Sequence, residues 1–157
     1  MTYEAGAVPE DWPVADFDPV RQLRVIAAVT PGARIHERVI DAPFAAVWEV
    51  AADLERMPQW LPDIRSVRYR GTEALVVGHS RLRARFDVEN SSGWCLMRSR
   101  FLLGGMAARP EEEGTRFAVL GALRIPLAGL VEPLLGPIVS RTEPRSARRF
   151  EALVRAR

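Results

Sequence analysis

Apolar and polar positions along this chain fall into two rhythms, a helical one near Phe44 and a two-residue alternation over most of the rest. Ile35 to Ile40 is short and rich in β-branched residues, which predicts a strand. Asp41-Ala42-Pro43 ends it, with Asp41 placed to cap a helix and Pro43 suited to a first helical turn. Phe44, Val47, Trp48, Ala51 and Leu54 then recur at helical spacing and form one apolar stripe, with Asp53 and Glu55 off it. Met57-Pro58 breaks that helix, and Gln59-Trp60-Leu61 makes a short second turn before Pro62.

Beyond Ile64 the pattern predicts a meander. Strands are expected over Ile64 to Arg70, Ala74 to Gly78, Arg81 to Val88, Trp94 to Leu103, Met106 to Arg109 and Thr115 to Ile125. Gly71, Asn90-Ser91-Ser92-Gly93, Gly104-Gly105 and Glu111 to Gly114 supply the turns. In the third of these strands Leu82, Ala84, Phe86 and Val88 alternate with Arg81, Arg83, Arg85 and Asp87. Phe117, Val119, Gly121, Leu123 and Ile125 make a second inward row. The C-terminal segment carries Pro126, Pro133, Pro137 and Pro144, so a kinked helix is expected, with Leu127 to Ser140 over the mouth of the sheet. Its last part, Arg145 to Arg155, sets Ala147, Phe150 and Val154 against a charged side. At the other end, Asp18-Pro19 suits the start of a short helix with Val20, Leu23 and Ala27 on one side, a strand over Leu23 to Val29 being the competing reading, and Pro31-Gly32 is a break.

The run IDAPFAAVW followed by AADLERMPQWLPDI resembles the opening of the START-like, or SRPBCC, superfamily. That group includes birch-pollen-allergen-like and polyketide cyclase/dehydrase proteins. The resemblance implies an α+β helix-grip fold: a curved antiparallel sheet of about seven strands around a C-terminal helix, with two short helices after the first strand. It divides the chain into an N-terminal extension, 1–32, and a helix-grip domain, 33–157.

Composition narrows the picture. At 157 residues and 48% hydrophobic, the chain suits one domain with a real core. No apolar run approaches a membrane span, and the first residues do not read as a secretion signal, so a soluble cytoplasmic protein is expected. The single Cys95 excludes an internal disulfide and a CxxC metal pair. All 22 basic residues are Arg. They leave residues 1–20 to five acids and crowd residues 141–157, six of them there against Glu143 and Glu151. A solvated helix face accounts for that crowding.

No motif for nucleophilic, phosphate-binding or zinc chemistry is present, and catalytic residues stay unassigned. No cofactor, metal or nucleic-acid partner is expected; the oligomeric state is not legible. His36 and His79 are the only histidines, and either has the chemistry of a general base, although the simpler reading is a strand-surface His36 and a turn-placed His79. His36, Arg38, Arg98 and Arg100 are the polar candidates for a cavity, their faces depending on register. The more apolar side of the fourth strand of the meander, Cys95, Met97, Ser99, Phe101 and Leu103, is taken as interior, which puts Arg98 and Arg100 outside. Trp60, Phe86, Met97, Phe101, Phe117, Val119, Leu123 and Phe150 are the candidate cavity wall.

The resemblance implies reversible binding of a small hydrophobic molecule, lipid-like or polyketide-like, between sheet and C-terminal helix. Whether any reaction is catalysed stays open. A cyclase/dehydratase is the alternative, and it needs an acid/base or oxyanion group inside the cavity. A protein-partner module, docking through the N-terminal arm and the Arg-rich helix, is a second.

Overall fold

A computed structural model of the chain describes residues 18–124 and 144–156. Seven strands form one antiparallel sheet: β1 (Arg34–Ile40), β2 (Ile64–Arg70), β3 (Glu73–Gly78), β4 (Arg83–Ser91), β5 (Trp94–Arg98), β6 (Leu102–Glu111) and β7 (Gly114–Leu123). The order across the sheet is β1-β7-β6-β5-β4-β3-β2, so the last strand returns beside the first and β1 and β2 are the edges. Helix α1 (Pro19–Val29) precedes the sheet, α2 (Phe44–Ala52) and a 3-10 turn (Leu54–Gln59) follow β1, and α3, residues 144–155, ends the described chain. This is the α+β helix-grip fold.

The two faces of the sheet bury two separate cores. On the inner face Val47, Trp48, Val50, Ala51 and Leu54 of α2 and its 3-10 extension, with Phe150 and Val154 of α3, pack on Phe86, Val88, Met97, Met106 and Phe117. On the outer face α1 lays Val20 and Leu23 on Trp94, Leu96, Leu103, Ala107, Ala118 and Leu120. Strand alternation makes both possible: along β7, Phe117 goes inward while Ala118 and Leu120 go outward. Two polar side chains anchor α2. Thr115 Oγ1 donates to the Ala42 carbonyl at 2.8 Å, and Asn90 Nδ2 donates to the Ala52 carbonyl at 3.1 Å, which satisfies an end-of-helix acceptor.

Helix α1 is also held by charge. Asp18 caps it, accepting from Arg21 N–H at 3.1 Å, and the same carboxylate pairs with Arg109 of β6. Arg109 reaches Glu111 at 3.4 Å, Glu111 pairs with Arg116 of β7, Arg116 reaches Glu37 of β1 at 3.5 Å, and Glu37 is gripped by Arg24 of α1. Six alternating charges thus close a loop that begins and ends on α1.

Four local expectations are corrected. The run from Trp94 to Leu103 is two strands, because Ser99 folds a tight turn: its N–H donates to Leu102 O at 2.8 Å and its Oγ accepts from Leu102 N–H at 2.9 Å. Gly104-Gly105 is not a turn but lies within β6, where each glycine makes room for something on its own face. Leu82 is not in the inward row; Arg81 turns the chain at φ 67° and leaves Leu82 75% exposed. Asp41 does not cap α2, whose cap position is Pro43 without a side-chain hydrogen bond. Ile125, Pro126, Pro133 and Pro137, and with them the expected kinks and mouth-covering segment, lie outside the described residues; Pro144 stands at the described start of α3.

Candidate functional site

Between the inner face of the sheet, the 3-10 turn and α3 lies a cavity of about 1010 Å3. That is at the upper end of small-molecule pockets. Its wall is mainly apolar: Met57, Trp60, Phe86, Met97, Met106, Phe117, Val119, Leu123 and Phe150 all line it. Of the eight wall residues expected from sequence, seven therefore line this cavity. Phe101 does not; it sits 52% exposed in the Ser99 turn, with the Arg100 guanidinium 5.3 Å from its ring centre.

The cavity owes its width to two glycines. Gly104 of β6 pairs directly with Gly121 of β7, and both positions face inward by the alternation that carries Met106 and Phe117 into the core. Among the described residues, a Cβ placed on Gly121 meets nothing within 4 Å, and one on Gly104 meets only Met97 Cβ at 3.9 Å. Neither glycine needs a left-handed backbone. What the pair supplies is empty space beside Met97. Sequence reading missed this role because a Gly-Gly step reads first as a turn.

One side of the cavity is closed by three rings from three distant segments. Phe117 of β7 stacks on Phe150 of α3 with centroids 4.4 Å apart and planes 2° off parallel. Trp60 meets Phe150 edge-on at 4.9 Å and Phe117 at 6.4 Å. This cluster pins α3 to the sheet and seats the 3-10 turn against both. The Trp60 indole N–H is buried there with no hydrogen-bond partner among the described residues. Cys95, fully buried on the same wall, has its thiol pushed up to about 12 by burial, so it is no nucleophile at neutral pH.

The polar candidates divide by strand face. His36 and Arg38 line the cavity, since β1 turns Arg34, His36 and Arg38 to the inner side and Ile35 to the outer. Arg38 is tied to Glu151 of α3 at 3.1 Å. Arg98 points outward, within 4.0 Å of Glu89, and Arg100 is in the turn with Phe101. His79 is in the turn after β3. Arg34 and Arg148 also line the cavity and were not singled out from sequence, although the alternation of β1 places Arg34 beside His36 and Arg38. Among the described residues no three His, Cys, Asp or Glu side chains gather in a way that could hold a metal ion. No helix among them is long and apolar enough to cross a membrane.

Residues 33–156 match the family described as polyketide cyclase / dehydrase and lipid transport. The chain belongs to this family. The matched segment starts just after α1 and contains the whole sheet, both elements that follow β1, and α3. No curated protein matches the sequence significantly. Solved structures agree on the fold. The protein TTHA0849 from Thermus thermophilus is 22% identical over 79% of this chain and 97% of its own, with a TM-score of 0.59. A START superfamily protein from Mycobacterium smegmatis is 15% identical over 79% and 97%, with a TM-score of 0.58. The di-domain ARO/CYC StfQ of the steffimycin biosynthetic pathway is 8% identical, with a TM-score of 0.60 over 85% of this chain and 53% of StfQ.

Proposed function

We propose that this family member reversibly binds a small hydrophobic molecule, lipid-like or polyketide-like, in the cavity between sheet and α3. The observation that carries this is the cavity itself: about 1010 Å3, walled by aromatic, methionine and aliphatic side chains, and widened by the facing Gly104 and Gly121. Apolar burial drives binding, at roughly 25 cal/mol per Å2 of surface removed from water. Methionines at positions 57, 97 and 106 let the wall adapt to shape. Native mass spectrometry before and after denaturation tests this directly. A small mass that leaves on unfolding supports it; failure of both a co-purifying mass and added apolar probes to bind overturns it.

A second proposal, cyclase or dehydratase chemistry, has one observation in its favour: His36 and Arg38 line the cavity, where an acid/base and an oxyanion partner would be needed. It requires turnover of a poly-ketone substrate that is lost in His36→Ala while apolar probes still bind.

A further inference from the structure

The antiparallel order brings the starts of β1, β2, β4 and β6 and the ends of β3, β5 and β7 to one end of the sheet. The connections there are residues 30–33, 61–63, 79–82 and 99–101. Hydrogen bonds tie them to their neighbours: His79 N–H donates to Asp63 O at 3.0 Å, and Arg124 N–H, just past β7, donates to Phe101 O at 2.6 Å. The cavity reaches this end, where Gly32, Pro62, Leu102 and Leu123 line it. Four of the six large hydrophobic side chains exposed among the described residues gather here: Val29 at the end of α1, Leu82, Phe101 and Leu102. Leu82 is held out by the backbone. Arg81 before it is left-handed, a conformation that costs a residue with a Cβ, and no burial of Leu82 offsets that cost. Exposed arginines surround these tips: Arg65, Arg81, Arg83, Arg100 and Arg124. None of the five meets a carboxylate among the described residues, and Asp63 is the one acidic residue in the four connections.

We propose that this end of the protein docks on an anionic lipid bilayer. Leu82, Phe101 and Leu102 enter the headgroup layer, and the arginines around them meet lipid phosphates. Charge complementarity favours an anionic surface, since each cation close to one gains from its potential. The apolar tips favour a bilayer over an acidic protein. They stand on separate turns, so a folded partner would need a matching pocket for each, whereas the boundary between headgroups and acyl chains takes up apolar side chains wherever they fall. Guanidiniums beside them keep their charge in the headgroups while their stems lie along apolar surface. Docking in this way sets Leu102, which is both exposed and part of the cavity lining, against the bilayer. An apolar ligand would then pass between bilayer and cavity without crossing water. That consequence rests on the ligand-binding proposal above; the docking itself does not.

Sedimentation of the full chain with vesicles tests this, one set of pure phosphatidylcholine and one of equal parts phosphatidylcholine and phosphatidylglycerol. Partition into the anionic vesicles is expected to exceed that into the neutral ones by about a hundredfold or more and to fall with added salt. Arg83→Gln and Arg124→Gln should each weaken it about fivefold. Leu82→Ser combined with Phe101→Ser should weaken it about tenfold or more. Both side chains are exposed and neither lines the cavity, so thermal melting and the binding of cis-parinaric acid should stay as in the parent. Val39→Ser, exposed near the far end of β1, should leave partition unchanged. Failure to partition into anionic vesicles overturns the proposal. Partition that is indifferent to the loss of Leu82 and Phe101 overturns docking through this end. Partition by a protein that takes up no cis-parinaric acid leaves docking standing and counts against the ligand-binding proposal alone.

Discussion

Leu23 of α1 stands on Gly105 of β6 so closely that a Cβ at Gly105 would lie 2.8 Å from Leu23 Cδ1. The neighbouring Gly104 points the other way, into the cavity. Two adjacent glycines in one strand thus serve two cores: one admits a helix on the outside, the other leaves room for a ligand on the inside. Helix α1 lies ahead of the segment that matches the family, yet it buries Val20 and Leu23 completely.

Filling the outer seat should therefore dislodge α1. Gly105→Val is expected to cost about 1–3 kcal/mol by overpacking. Leu23→Ala alone should cost about 2–5 kcal/mol. Combined, they should cost clearly less than their sum, because each relieves what the other creates. Chemical unfolding of the four proteins in this cycle checks it; strictly additive losses would show that Leu23 does not seat on Gly105.

Filling the inner space should do the opposite. Gly121→Phe puts a ring where no described residue lies within 4 Å of the new Cβ, in a strand that gains β propensity by losing a glycine. The variant is expected to melt within about 1 kcal/mol of the parent and to lose binding of apolar probes by tenfold or more. A folded variant with undiminished binding would move the ligand site elsewhere.

Stability should fall in acid through the charge loop around α1. Burial opposes ionisation of Asp18, but the Arg21 N–H and the Arg109 guanidinium outweigh it and hold the carboxyl below its usual value. Glu37 is lowered by its hydrogen bond from Arg24, and Glu111 by that from Arg116. Carboxyls with depressed folded pKa values stabilise fully above their unfolded values and lose that contribution as pH falls through the folded ones. Thermal melting should thus be flat near neutrality and drop below the ordinary carboxylate range. Glu37→Gln should lower neutral stability by about 1 kcal/mol and flatten the acid limb. An acid limb identical to the parent's would remove Glu37 from the account.

The thiol should be silent until the core opens. Cys95 is fully buried and its pKa is pushed up to about 12, so both access and thiolate are scarce. Labelling by a thiol reagent at neutral pH should be at least about a hundredfold slower in native protein than in denaturant. Fast native labelling would mean that the β5 wall opens readily.

Much of the fold is written locally. The β1–α2–3-10 opening, the apolar stripe of Val47, Trp48, Ala51 and Leu54, and the alternation of Ala84, Phe86 and Val88 follow from periods of 3.6 and 2 that any stretch displays by itself. Short-range competition escapes those periods. One serine side chain bonding its own turn split the run at Ser99 and carried Phe101 outside, and a left-handed Arg81 exposed Leu82.

The chain by itself determined seven strands and the helices after the first, since these depend on pattern, while the helix-grip and its apolar wall came through the resemblance of its opening to the START-like superfamily. Only the tertiary structure decided that Gly104 and Gly121 face each other, that Leu23 meets Gly105, that Trp60, Phe117 and Phe150 form one cluster, and that Arg34, His36, Arg38 and Arg148 look into one space. Those are relations between strands and helices far apart in sequence, set by register and by which elements pack on which face. A glycine reads the same whether it turns a chain, seats a helix or leaves a hole; what lies opposite decides which.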